Sequence, residues 1–497
     1  MSNIRSMRGF LASSIGVTCA AALALPLAPP AGAAPARAAF GAEAAMSATV
    51  AAASPTRRAG AEPDFPGSTQ SLPLIPLTRD RTVGSPAPVP GEQGLSRRDV
   101  PHFSLVGVVW EDAGTELHGR VQVRTRAVAD GVWSDWQDVE THNAEHAPDP
   151  DAAERASGGG VRGATAPLWV GESDGVEVRV IPEAAEPRPD EGPKDGDDTS
   201  VDPTAIAPLP DGLRLELVDP GDPATAPSDP GPRPGSLNPG TAGAAGTAEA
   251  LAAAAANSEL APLGAAEIPE LGRAETEREL VTLRGSELTE AQRAKPYIGP
   301  RPRIVTRRGW GANEAWREKK FSYTKKVKAA FVHHTASGGT YWCTQAPSLI
   351  RGIYRYHVKS MRWRDLGYNF LVDKCGNIYE GRAGGVAKPV LGAHTLGFNS
   401  DSTGIAVLGS YGARKPTAAA VKAIARLTAW KLGLYGANPR GKTYLKSGGG
   451  NLYRKGKNVR LNVISGHRDG FSTECPGLQL YRKLGSARAS AARFQGR

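Results

Sequence analysis

The chain has 497 residues, too many for one hydrophobic core, and its 59 glycines and 40 prolines assign much of that length to connecting segments. A formal charge of +10 hides a division: residues 1–300 carry 24 Lys+Arg against 42 Asp+Glu, a balance of −18, and residues 301–497 carry 36 against 8, a balance of +28. This excludes a uniformly charged single domain, and it gives the basic half the field to attract a polyanion, nucleic acid or acidic wall polymer alike.

At the N-terminus Arg5 and Arg8 precede an apolar run over 10–27, closed by Pro26, Pro29 and Pro30 and followed by Ala31-Gly32-Ala33-Ala34. The prolines end the run short of the ~20 residues a membrane span needs. Basic, apolar and small-residue regions in that order predict a cleaved signal peptide over 1–34. The expected protein is therefore secreted, with no stable membrane insertion after cleavage, and export argues against a nucleic-acid partner.

Residues 35–97, rich in Ala, Pro and Arg, read as a disordered linker. Between 98 and 218, alternating segments at 103–110, 119–126, 168–170, 176–180 and 213–218 predict short strands, hence an all-β, sandwich-like domain. The acidic run 183–202 is expected to loop out of it. Trp133-Ser-Asp-Trp136 reads as a strand with its aromatics packed on the core or along an edge. Residues 219–295, again rich in Pro, Gly and Ala, read as a second, flexible linker.

From 296 to 497 the pattern becomes mixed. A strand is expected at 329–332, a helix over 347–361 with Leu349, Ile350, Ile353 and Tyr354 on one face, and a hairpin turning at Lys374-Cys375-Gly376-Asn377. A buried strand at 404–408, a helix from Pro416 to Leu434, a loop over 435–456 and a strand running into His467 follow. The fold class is multidomain: a C-terminal α/β domain with a mixed central sheet flanked by helices, preceded by the all-β domain and the linkers.

Five of the nine histidines lie in the C-terminal domain. His333 ends one apolar strand and His467 another, and Cys475 follows eight residues later; strand ends are where α/β folds place their sites. Two imidazoles and a thiolate are the three protein ligands that leave zinc a fourth position for water. Spacing alone leaves unrelated histidines and cysteine as the competing reading. Of the four cysteines, Cys19 lies in the expected signal, so an exported chain keeps one pair and one odd thiol.

The local sequence around these positions narrows the choice. Ile304-Val-Thr-Arg-Arg-Gly-Trp-Gly-Ala312, Val332-His-His-Thr335, Trp363-Arg-Asp-Leu-Gly-Tyr-Asn-Phe370, Gly376-Asn-Ile-Tyr-Glu-Gly-Arg382, Gly392-Ala-His-Thr-Leu-Gly-Phe-Asn399, Ser402-Thr-Gly-Ile405 and Gly466-His-Arg-Asp469 with Thr473-Glu-Cys-Pro-Gly477 stand in one order. Over 302–485 this series resembles the peptidoglycan recognition protein and phage amidase family. The resemblance implies an N-acetylmuramoyl-L-alanine amidase that cuts the amide between N-acetylmuramic acid and L-alanine, with peptidoglycan as substrate. It implies Zn2+ held by His333, His467 and Cys475, Tyr368 as the catalytic tyrosine, and Thr473 at the catalytic position where phage members carry lysine. It places His394 and Asn399 along the peptide groove, and Arg382 is a candidate for a stem-peptide carboxylate.

His334, one residue past a ligand, points to the opposite face and is expected to be structural, and His357 to be packed or capping. With Cys475 on the metal, Cys343 and Cys375 are left to form a disulfide. Acidic wall polymers are a second expected partner of the basic half, and the location expected is extracellular and wall-associated. Ala383-Gly384-Gly385 stands where family members that sort stem peptides often carry Gly-Trp. The competing readings are a non-catalytic peptidoglycan-binding member, a kind that typically loses the cysteine retained here as Cys475, and a stem-peptide endopeptidase, for which there is no H-E-x-x-H helix.

Overall fold

Alternating apolar residues in the first half pair into one antiparallel sheet. In the computed structural model, which describes residues 66–77, 91–152, 154–155, 160–184, 206–222 and 247–497, its strand order is Ser68–Pro73, Arg214–Asp219, Gln93–Trp110, Leu168–Pro182, Gly119–Ala127, Gln137–Val139. Register breaks along Gln93–Trp110, between Leu95 and Arg98 and again before Phe103, bend this 18-residue strand. Phe103, Val106, Val121, Val178 and Leu217 fill the core beneath it. The two tryptophans of Trp133-Ser-Asp-Trp136 lie under guanidinium groups: Arg97 covers Trp133, and Arg124 and Arg179 flank Trp136.

The second half builds a seven-stranded mixed sheet in the order Ile464–Gly466, Ala329–His334, Ser402–Val407, Phe370–Val372, Ile378–Glu380, Ile304–Val305, Glu267–Ile268. Ala329–His334 is parallel to both of its neighbours and buried along its whole length, which explains its unbroken apolar run. Helix Ala418–Gly433, capped by Thr417, covers one face with Ile424, Leu427 and Trp430. Helix Ala346–Arg355 covers the other with Leu349, Ile350 and Ile353. The Cys343–Cys375 disulfide joins the start of that helix to the hairpin turn.

Three expectations change. The β domain begins before 98: Ser68–Pro73 pairs with Arg214–Asp219 and Gln93–Trp110 starts inside the expected linker. An edge strand ending in proline carries little periodicity of its own and is defined by its partner. The stretch expected as linker to 295 is folded from 247 onward, with helices Ala248–Ala255, Arg273–Arg284 and Glu290–Ala294. The first buries Ala253, the second Thr276 and Leu280 and the third no residue, so the apolar pattern is faint. Within 435–456, Lys442–Lys446 pairs with Asn458–Asn462, and Leu445 and Leu461 pack near Phe398. The expected signal peptide, the residues 35–65 and 223–246, and the acidic run beyond Ala184 lie outside the described residues. No helix among the described residues is long and apolar enough to cross a membrane.

The two sheets share a core. Leu105, Val109, Trp169 and Val218 of the first pack with Leu349, Ile353, Tyr356 and Met361 of the second. The approach is close enough that a Cβ on Gly107 would lie 2.3 Å from the Tyr356 hydroxyl.

Candidate active site

The register Val332↔Gly466 sets His333 and His467 side by side at the C-terminal ends of adjacent parallel strands. Strand alternation puts His333 on the face of Ala329 and Phe331, while His334 follows Ala330 and Val332 to the other face. There His334 Nδ1 accepts the Tyr411 N–H at 3.2 Å. The loop after His467 is closed by the Arg468 N–H donating to the Cys475 carbonyl at 3.0 Å, which returns Cys475 to the strand ends. Its Sγ lies 3.7 Å from His333 Nδ1, and His333 Nε2 faces Thr395 Oγ1 at 3.4 Å, an outer contact of the kind that fixes a ligating imidazole.

A fourth donor comes from the β domain. His146 stacks edge-on against His467, with ring centres 4.5 Å apart, and lies 5.3 Å from the His333 ring. Ligand atoms of His146, His333, His467 and Cys475 all fall within 4.8 Å of one another. Both ring nitrogens of His146 and of His467 are buried without a hydrogen-bond partner, a cost that a bound cation would relieve at one nitrogen of each ring. Burial holds His333 and His467 well below the usual imidazole range and His146 down to about 3, so all three are neutral, the form that ligates. Burial pushes the Cys475 thiol well up, and a coordinated cation reverses that. Three imidazoles and one thiolate suit zinc.

Tyr368 precedes the strand Phe370–Val372 and sits 5.5 Å from His333 and 5.9 Å from His146, ring to ring. Burial, and then the nearby charges of Cys475 and Glu145, push its phenol well above the ordinary range, so it stays a proton donor. The Thr473 hydroxyl donates to Glu145 Oε1 at 2.7 Å and accepts the Cys475 N–H at 3.1 Å. Asn399 Oδ1 accepts the N–H groups of His394 and Thr395, and its amide donates to Asp149 Oδ1 at 2.8 Å. Arg382 forms a bidentate pair with Glu154, both contacts at 2.9 Å.

His394 differs from the expectation of a groove residue. Its ring is fully enclosed between His333, 5.3 Å away, and the backbone of Gly404, where an added Cβ would lie 2.4 Å from it. It stands behind the cluster. His357 is packed against Trp363 and accepts the Gly367 N–H at Nδ1. Sequence reasoning missed His146, because the tract Glu140-Thr-His-Asn-Ala-Glu-His146 follows a three-residue strand and has neither helical nor strand period. Its one signal was two of the nine histidines inside seven residues.

Comparison with known proteins bears on both halves. Residues 323–478 match the family described as N-acetylmuramoyl-L-alanine amidase, and residues 59–201 match the Rv3811 N-terminal galactose-binding domain-like family. Peptidoglycan-recognition protein SC2 of Drosophila simulans is 35% identical over 183 residues, covering 36% of this chain and 84% of that protein. The human N-acetylmuramoyl-L-alanine amidase is 37% identical over 141 residues, which is 28% of this chain and 22% of that one. Among solved structures, peptidoglycan recognition protein-LE in complex with tracheal cytotoxin aligns at 31% identity, covering 37% of this chain and 92% of that chain, with a TM-score of 0.29.

Proposed function

Since the chain belongs, through its C-terminal domain, to the family of peptidoglycan-recognition proteins and N-acetylmuramoyl-L-alanine amidases, we propose that it is a zinc-dependent amidase that hydrolyses the bond between N-acetylmuramic acid and L-alanine. The observation that carries this reading is the convergence of His333, His467 and Cys475 beside Tyr368, with both ring nitrogens of His467 buried and unpaired. Zinc held there supplies Lewis-acid polarisation of the scissile carbonyl and lowers the pKa of a water towards ~7. Tyr368, neutral and enclosed, directs its hydroxyl to the carbonyl oxygen as negative charge develops on it. Thr473 holds the Cys475 N–H and so orients the thiolate loop. Asn399 and Arg382 supply donors suited to the backbone and carboxylates of a stem peptide.

The signal-like N-terminus and the Cys343–Cys375 bridge support action outside the cytoplasm, at the wall. Cys475→Ser tests the metal assignment, because serine stays protonated and is a poor zinc ligand. Made in a His146→Ala background, which leaves His333 and His467 as the remaining ligands, the variant is expected to lose most of its zinc, measured by elemental analysis, and nearly all release of stem peptide. Full zinc and undiminished release would contradict the reading.

A further inference from the structure

Loops of a β domain ordinarily lie against solvent, yet residues 143–154 include a buried run, Asn143, Glu145, His146, Ala147 and Pro148, with Glu154 buried beyond it. The segment lies across the second domain's site. Glu145 takes the Thr473 hydroxyl with its carboxylate and the Leu396 N–H with its carbonyl. Asp149 takes the N–H of Gly397 at 2.7 Å and the Asn399 amide. Glu154 takes the Arg364 N–H and the guanidinium of Arg382. His146 stands between Tyr368 and His467.

Three carboxylates thus meet residues that the amidase reading assigns to catalysis and substrate contact, and the imidazole between the first two meets the metal ligands. These contacts are polar and one-sided in charge. The rest of the domain contact lies apart from the loop: an apolar seam of Leu105, Val109 and Trp169 against Leu349 and Ile353, with polar contacts such as Ser360 to Glu216 and Arg355 to Thr69 beside it. Releasing the loop therefore does not require separating the domains.

We propose that residues 142–152, together with Glu154, are an intramolecular plug. His146 is the fourth protein donor to the metal and fills the position that a catalytic centre leaves for water, while Glu145, Asp149 and Glu154 occupy the cleft in place of substrate carboxylates. The full chain is latent, and substrate competes with the plug, so the apparent affinity is the intrinsic one multiplied by the fraction of molecules in which the plug is out. The identity of the substrate rests on the amidase reading; the fourth donor does not.

The test uses the zinc-loaded full chain, His146→Ala, and the double variant Asp149→Asn/Glu154→Gln. X-ray absorption at the zinc edge is expected to report three imidazoles and one sulfur in the parent, and two imidazoles, one sulfur and a light atom in His146→Ala. A soluble N-acetylmuramoyl peptide is expected to bind both variants at least about tenfold more tightly than the parent, and stem-peptide release to rise at least about tenfold. Two imidazoles on the parent's zinc, or peptide binding no tighter in either variant, overturns the plug. If His146→Ala melts well below the parent, the double variant decides by binding alone. Should neither variant release peptide while absorption and binding change as expected, the plug stands and the amidase reading fails.

Discussion

Tyr368 and Cys475 both touch the metal site, but they answer to different chemistry. In the proposed zinc site Cys475 supplies a ligand, whereas Tyr368 packs its ring 5.5 Å from that of His333 and burial keeps its phenol protonated. In a His146→Ala background, Tyr368→Phe is expected to keep its zinc and lose roughly 10²–10³ in rate, the usual cost of one transition-state hydrogen bond. Single-turnover release of stem peptide together with metal content checks this, and equal loss of both would make Tyr368 structural. His357 gives a second residue-scale prediction. Burial lowers its imidazole from 6.5 to about 3, and Nδ1 accepts the Gly367 N–H. An unfolded histidine takes up a proton below about 6.5 and the folded one does not until about 3, so its contribution is intact above 6.5 and is lost as pH falls through that window. Between pH 7.5 and 4.5 the loss amounts to about 2–3 kcal/mol. Denaturant unfolding of His357→Gln, which stays neutral, should show a correspondingly smaller drop over the same interval, and an equal drop would refute the assignment.

At the scale of elements, the helices of 247–294 are cladding for the amidase sheet. Asn257 donates to Glu380 and accepts the Val386 N–H, Ile268 extends the sheet beside Ile304, and Leu280 joins the same core. Leu280→Ala is therefore expected to cost ~2–5 kcal/mol, as a core truncation does, seen as a lower unfolding midpoint. A residue in a flexible tether would show no change. The strands and helices with strong period, among them Ala329–His334 and Ala418–Gly433, were legible in the sequence because both faces or one whole stripe are buried. The cladding was not, since alanine-rich and charged helices that bury at most two residues each leave almost no periodic trace. His333, His467 and Cys475 could be read from short blocks at strand ends. His146 could not, because its place depends on how two separate sheets dock.

For the whole molecule, the division of charge now has a location. Acidic residues of the β domain meet basic residues of the second at Glu154 with Arg382, Asp151 with Lys455, and Glu111 with Arg362. Much of the +28 balance of residues 301–497 remains for an external polyanion. Binding to insoluble cell walls is accordingly expected to weaken steeply as salt rises past 0.1 M, where exposed charges are screened within ~10 Å. Binding unchanged at high salt would make the charge incidental.

The proposed activity cuts one particular amide. Mass spectrometry of purified peptidoglycan after digestion with zinc-loaded His146→Ala protein tests it most directly. The expected products are stem peptides with a free L-alanine amino terminus and glycan strands carrying unsubstituted lactyl groups, both abolished by removing the zinc, with cross-bridges intact throughout. Cut cross-bridges with the lactyl amide intact, or products that persist without metal, would contradict it.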